Sequence, residues 1–210
     1  WEPFVSFLTR VRALEILAFV LLYKLADNLA GALVRPFLVQ VGFNDFDVGI
    51  ATATIGLIAT LVGTFLGGML TAVMGLGHAL WAFGLLQIGS NLGYVLIADV
   101  GVHRPLMYGA MAFESLTSGM GTGAFGVLLL RMTQKQFSAT QYALFSSLFA
   151  LPRILAGPVT GVTVDAAGWS NFFWFTIAIG IPGLLNPTAG LRLRISSTLA
   201  SILDRGAPLM

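Results

Sequence analysis

The sequence predicts an all-α membrane protein with six transmembrane helices. Three observations carry that prediction. The 210 residues are 57% hydrophobic and only 10% charged, with a mean hydropathy of +0.88; soluble domains carry about 25% charge. Apolar stretches recur along the chain, most of them at or beyond the roughly 20 residues that cross a hydrocarbon core. Only short connections separate them, which leaves no room for a water-soluble catalytic domain.

Composition excludes several classes. There is no cysteine, so disulfides and thiolate metal sites are ruled out. The only histidines are His78 and His103, both at apparent loop positions, and a metal site is not expected. The formal charge of +2 is not gathered into one basic patch, which argues against nucleic-acid binding. No nucleophile elbow, metal motif or phosphate loop appears, so no enzyme activity and no cofactor are expected. No signal peptide is visible, and the first residue is Trp1, which reads as a piece of a longer polypeptide.

Residues 1–12 form an apolar, aromatic lead-in closed by Arg10 and Arg12; the bundle occupies 13–185 and a basic tail 186–210. Helix one spans 13–41. Lys24 and Asp27 fall near its middle, where a charge costs about 2.5 to 3.5 kcal/mol by insertion scales. At about 100° per residue, Lys24, Asp27, Asn28, Gly31 and Arg35 share one face. Lipid would reject that stripe, so the other helices are expected to cover it. Pro36 is placed to bend the far end.

A tight loop at Gly42 to Asp47 offers Asn44 or Asp45 as a cap for helix two, which runs over 46–74. Its Gly63-x-x-x-Gly67 pattern permits close helix packing. A turn at Gly75 to His78 leads to helix three, 79–98. There Gln87, Ser90, Asn91 and Tyr94 share a face, which either lines a cavity or bonds helices together. A polar loop at Asp99 to Pro105 precedes helix four, 106–130. Glu114 lies about two turns inside it, with Ser118 and Thr122 on the same face beside the glycine-rich, flexible run Gly119 to Gly123. Glu114 reads either as a protonatable site or as half of a structural ion pair.

Ser138-Ala139-Thr140-Gln141 has capping-box spacing, so helix five starts at Ala139 and continues to about Val164. Pro152 and Pro158 free backbone carbonyls at depth, which protein or water must satisfy. Arg153, always charged, pairs with a carboxylate or carbonyl, or holds an anionic solute group. A loop at Asp165 to Ser170 precedes helix six, 171–185. The tail carries Arg192, Arg194 and Arg205 and reads as a surface-lying amphipathic segment or as disordered.

Six spans place the N-terminus, the second and fourth loops and the tail on one side. That side holds Arg10, Arg12, Arg131, Lys135 and the tail arginines, so both termini are expected in the cytoplasm. Charged residues at mid-depth mark solute or proton pathways. Six spans read as two sets of three, the 3+3 inverted repeat that makes one half of a major facilitator transporter; periodicity alone does not separate this from a six-helix channel or a membrane scaffold.

Several stretches then carry a resemblance. They are Leu22-Tyr23-Lys24-Leu25-Ala26-Asp27 with Pro36-Phe37-Leu38; Gly56 to Gly63 with Gly67-Gly68; and Leu86-Gln87 with Ser90 to Tyr94. They continue with Phe113-Glu114 and Gly119 to Thr122, then Phe137 to Leu144, then Arg153 with Gly157-Pro158. In this order they resemble the C-terminal six-helix half of the AmpG family of muropeptide permeases, in the major facilitator superfamily, and 1–12 resembles the end of the central cytoplasmic loop. The resemblance implies a multi-pass protein of the cytoplasmic (inner) membrane that imports anhydromuropeptides with protons during peptidoglycan recycling. Its partners are then the lipid bilayer, the solute, protons and the N-terminal six-helix half of the same transporter.

The resemblance also assigns roles. Asp27 becomes the proton-coupling carboxylate, ionised beside Lys24 and ready to take a proton away from it. Arg153 and Glu114 fall to substrate binding or gating, and Gln87 and Asn91 to hydrogen bonds with sugar hydroxyls or peptide amides. Three positions depart from the family pattern. Ala53 stands where a lysine is frequent, Pro152 where glycine is usual, and Asn186-Pro187 where apolar sequence continues. The rival readings are a facilitator-fold transporter of another anionic or amide-bearing solute, such as acetyl-CoA, and a non-transporting membrane scaffold.

Overall fold

The computed structural model describes residues 25–132, 143 and 160–185. These form helices throughout: α1 (Leu25–Val41), α2 (Asp45–Met74), α3 (Leu76–Val100), α4 (Arg104–Met132), α5 over 160–167 and α6 (Trp169–Leu185). The expectations for Lys24, for residues 1–12, for Pro152, Arg153 and Pro158, and for the tail lie outside the described residues. Among the described residues, α2 and α3 are long and apolar enough to cross a membrane.

The connections are shorter than the sequence reading placed them. Gly75 alone separates α2 from α3, so His78 lies within α3 and not in a loop. At φ +80° glycine reverses the chain where a side chain would be strained, while its amide still bonds the Thr71 carbonyl at 3.1 Å. Gly168, at φ +78°, likewise is the whole break between α5 and α6. Helix α4 begins at Arg104, with Pro105 in the first turn, where its missing N–H costs nothing. The His103 Nδ1 accepts from the Leu106 amide at 3.2 Å and caps that turn. Asn44 caps α2, its Oδ1 accepting from the Asp47 amide at 2.7 Å.

Three of these connections meet at one end of the bundle. Trp169 Nε1 donates to Gln40 Oε1 at 2.9 Å. Arg104 pairs with Asp47. A Cβ on Gly42 would touch the Val102 side chain at 3.3 Å. Helices α2 and α4 both start at this end and therefore run parallel.

Their packing rests on glycine. An added Cβ on Gly63 would strike the Leu116 backbone and one on Gly67 the Met120 backbone; from the other side, Gly119 faces Thr60 and Gly123 faces Thr64. Two small-residue ridges thus interlock, Gly63/Gly67 on α2 and Gly119/Gly123 on α4. The expected packing role of Gly63 and Gly67 is therefore met. The run from Gly119 to Gly123 is not a flexible break: it is continuous helix. Water-driven burial is absent between helices in lipid, so close backbone approach and dispersion must hold such a pair.

Two apolar clusters complete the core. One joins Leu76, Leu80 and Phe83 of α3 to Phe125, Leu128 and Leu129 of α4. The other, toward the opposite end, gathers Phe37 and Leu38 of α1, Tyr94 and Ile97 of α3, Met107 of α4, and Phe172 and Phe173 of α6. Within it Phe37 and Phe173 meet edge to face at 4.8 Å, and Tyr94 lies 5.1 Å from Phe173, geometries that aromatic quadrupoles favour.

Candidate functional site

Between the two apolar clusters α3 and α4 carry a polar layer. Gln87, Ser90 and Asn91 of α3 and Ser115 and Thr117 of α4 are all buried. Buried polar groups are expensive unless bonded, so such a layer must be satisfied internally or serve a ligand. Part of it is satisfied locally. The Ser90 hydroxyl donates to the Gln87 carbonyl at 2.8 Å, and Thr117 Oγ1 to the Glu114 carbonyl at 3.0 Å. Just above, the Tyr94 hydroxyl donates to Met111 Sδ at 3.6 Å.

Gln87 is different. Its side chain lies against Gly121, where an added Cβ would sit 2.7 Å from Oε1, and its Nε2 has no hydrogen-bond partner. An unpaired buried donor costs about 1 to 3 kcal/mol. Replacing Gln87 by Met, similar in shape but apolar, is therefore expected to leave the thermal midpoint of the purified protein unchanged or raised. A clear drop would mean the amide is bonded after all. Asn28 of α1 has a second buried amide nitrogen without a partner.

Glu114 is half-buried on α4. The Ser115 hydroxyl donates to its Oε2 at 3.3 Å. Ser115 Oγ in turn lies 3.2 Å from where a Cβ on Gly56 would stand. Gly56 ends a π-helical stretch, Ile50–Gly56, inside α2, a wide-turn geometry that is rare and frequent at functional sites. Ala53 lies in that stretch and is exposed. Below Glu114 on the same face, Ser118 is half-buried and Thr122 exposed, so the face opens progressively.

On α1 the structure departs from expectation. The polar stripe is not fully covered: Gly31 and Arg35 are exposed and only Asn28 is half-buried. Asp27 belongs to the helical part of α1, one turn before Gly31 and two before Arg35; its side chain lies outside the described residues, as do Lys24 and Arg153. The structure thus brings Gln87, Asn91 and Glu114 into one layer and leaves Gly31 and Arg35 exposed on α1. Among the described residues no three of His, Asp and Glu gather to hold a metal ion.

One polar constellation escaped the sequence reading. Asp47, buried at the start of α2, pairs with Arg104 at 2.6 Å and accepts from the Tyr108 hydroxyl at 3.0 Å. The signal was available: Asp47 and Arg104 were both placed at the same end of the bundle, on neighbouring connections.

No family model matches the chain. Individual relatives do. It is 45% identical over 184 residues to the anhydromuropeptide permease of Escherichia coli K12, a match covering 87% of this chain and 38% of the relative. It is 34% identical over 196 residues to an uncharacterised protein of Haemophilus influenzae, covering 88% and 46%. It is 32% identical over 170 residues to the putative transporter AmpG 1 of Rickettsia prowazekii, covering 81% and 38%. The chain spans less than half the length of these curated relatives. An ordered identity of this extent, on a helical membrane scaffold with a polar layer inside it, carries one conclusion: the chain belongs to the AmpG family of permeases.

Proposed function

We propose that the chain forms the C-terminal six-helix half of a proton-coupled importer of anhydromuropeptides in the inner membrane, with both termini cytoplasmic. The observation that carries this is the 45% identity to a protein named for that solute. The architecture agrees with it. In facilitator-type transporters the solute site lies near the bilayer midplane, between two halves each built from 3+3 inverted repeats. Here Gln87, Asn91 and Glu114 lie between the two apolar clusters, and α1 keeps a polar face exposed for an N-terminal half to meet across an aqueous cavity.

In this reading Asp27 carries the coupled proton and Lys24 is its counter-charge. Arg153 holds an anionic group of the solute. Glu114, Gln87 and Asn91 bind its hydroxyls and amides, with the unpaired Gln87 nitrogen supplying a donor. The sugar and peptide portions of a muropeptide are rich in carbonyl acceptors, which suits amide donors in a water-poor layer.

The test is uptake of labelled anhydromuropeptide by cells lacking their own permease and expressing the parent polypeptide. Uptake is expected to be abolished by a proton uncoupler and by Asp27→Asn, with normal insertion in the membrane. Uptake that persists in Asp27→Asn would remove Asp27 from the coupling role. No uptake by a well-inserted parent would overturn the muropeptide assignment.

A further inference from the structure

We infer that Ser115 is a positioning residue for Glu114, and that Gly56 at the end of the π-helical turn of α2 leaves the space its hydroxyl occupies. The inference rests on the reading of Glu114 as part of the transport site and names a device that serves it. Ser115 is buried and lies next to Glu114 in the chain, yet its side chain is turned toward α2, since its Oγ lies 3.2 Å from a Cβ built on Gly56. From there the hydroxyl donates to Glu114 Oε2 at 3.3 Å. A serine hydroxyl has a single proton to give. Directed at the carboxylate, it adds a fixed donor to one oxygen of a half-buried side chain.

Gly56 matters because of where the π turn ends. A side chain at this position would stand 3.2 Å from both Ser115 Oγ and the Ala51 carbonyl oxygen, closer than ordinary carbon–oxygen contact. The π stretch widens the helix over Ile50–Gly56, and Ala51, its second residue, and Gly56, its last, are its buried residues. The remaining residues of the stretch are not buried, and among them Ala53 and Thr54 are exposed. Any rewinding of this turn toward α-helix moves the wall against which Ser115 rests, and with it the donor on Glu114. The turn and the carboxylate are therefore mechanically linked through one hydroxyl.

The test is a double-mutant cycle in the full-length parent, read as half-saturation concentration and maximal rate of anhydromuropeptide uptake, with the melting temperature of the purified protein alongside. Glu114→Gln is expected to lose uptake. Ser115→Ala is expected to raise the half-saturation concentration about tenfold, the scale of a lost hydrogen bond to a charged group, with maximal rate and melting temperature near those of the parent. Ser115→Thr, which keeps the hydroxyl, should restore most of the loss. Gly56→Ala should impair uptake more in the parent than in the Ser115→Ala background, where only its contact with the Ala51 carbonyl remains. Additive Gly56→Ala and Ser115→Ala effects would overturn the link between them. Parent-like kinetics in Ser115→Ala, with Glu114→Gln inactive, would overturn the positioning role and spare the site. A Ser115→Ala variant whose melting temperature falls together with its maximal rate would make the role structural and overturn the inference. An active Glu114→Gln would remove the site on which the inference rests.

Discussion

Replacing Gly67 by alanine is expected to destabilise the protein by about 3 kcal/mol, and by valine to abolish the folded state. Overpacking an ordinary core costs about 1 to 3 kcal/mol because side chains can shift. At Gly67 the obstacle is the Met120 backbone, and at Gly63 the Leu116 backbone. Backbone within a continuous helix yields only if the whole helix moves. Moving α4 away would also open the reciprocal contacts of Gly119 with Thr60 and of Gly123 with Thr64. The four glycines therefore act as one joint, and with a total stability of about 5 to 15 kcal/mol a single bulky residue should dissolve it. The control lies one residue away. A Cβ on Gly68 meets nothing within 4 Å, and the same holds for Gly126. Alanine at either should be neutral or stabilising by up to about 1 kcal/mol through helix propensity. Thermal unfolding of the detergent-solubilised protein checks both arms. Equal tolerance of alanine at Gly67 and Gly68 would refute the joint.

This contrast marks what the sequence could and could not disclose. The Gly63-x-x-x-Gly67 spacing announces a packing face, because glycine at that interval places two bare backbone patches on one side of a helix. The same spacing at Gly119 and Gly123 was hidden by the additional glycine, Gly121, between them, which made the run look flexible. Only the partner distinguishes the two roles. Gly119 and Gly123 face α2, whereas Gly121 faces Gln87 of α3. One helix turn thus serves two neighbours, a fact of three-dimensional arrangement that no periodicity encodes.

The polar residues followed a similar rule. The shared face of Gln87, Ser90, Asn91 and Tyr94 was readable from helical spacing, and all four are buried. Spacing alone left the depth of burial open, and with it the unpaired amide of Gln87. The stripe on α1 was readable for the same reason, but the expectation that the other helices cover it does not hold along its whole length. Gly31 and Arg35 are exposed, so packing within the described helices leaves that part of the stripe uncovered. The π stretch in α2 had no sequence signal at all. Its residues Ile50–Gly56 are ordinary for an apolar helix.

Removing the Arg104 guanidinium is expected to cost more than removing both members of its pair. Asp47 is buried, with its side chain 10% exposed, while that of Arg104 is 60% exposed. The pair lies at 2.6 Å and the Tyr108 hydroxyl adds a second bond to the other carboxylate oxygen at 3.0 Å. Exposure of the arginine screens the attraction, which places the pair itself near about 1 kcal/mol. Most of the loss comes instead from the carboxylate left behind. Arg104→Ala strands it with Tyr108 and the α2 N-terminus as its only support, at a cost of about 1 to 3 kcal/mol. Tyr108→Phe should cost less, about 1 kcal/mol, because arginine still neutralises the charge. Combining Arg104→Ala with Asp47→Asn, which removes the charge but keeps an acceptor for Tyr108, should recover part of the loss. Melting temperatures of the four proteins decide the matter. If the double variant is less stable than Arg104→Ala alone, the cost does not come from a stranded carboxylate. The junction of α2 and α4 would then owe its strength to the glycine joint and to the charge-independent contacts of Asp47.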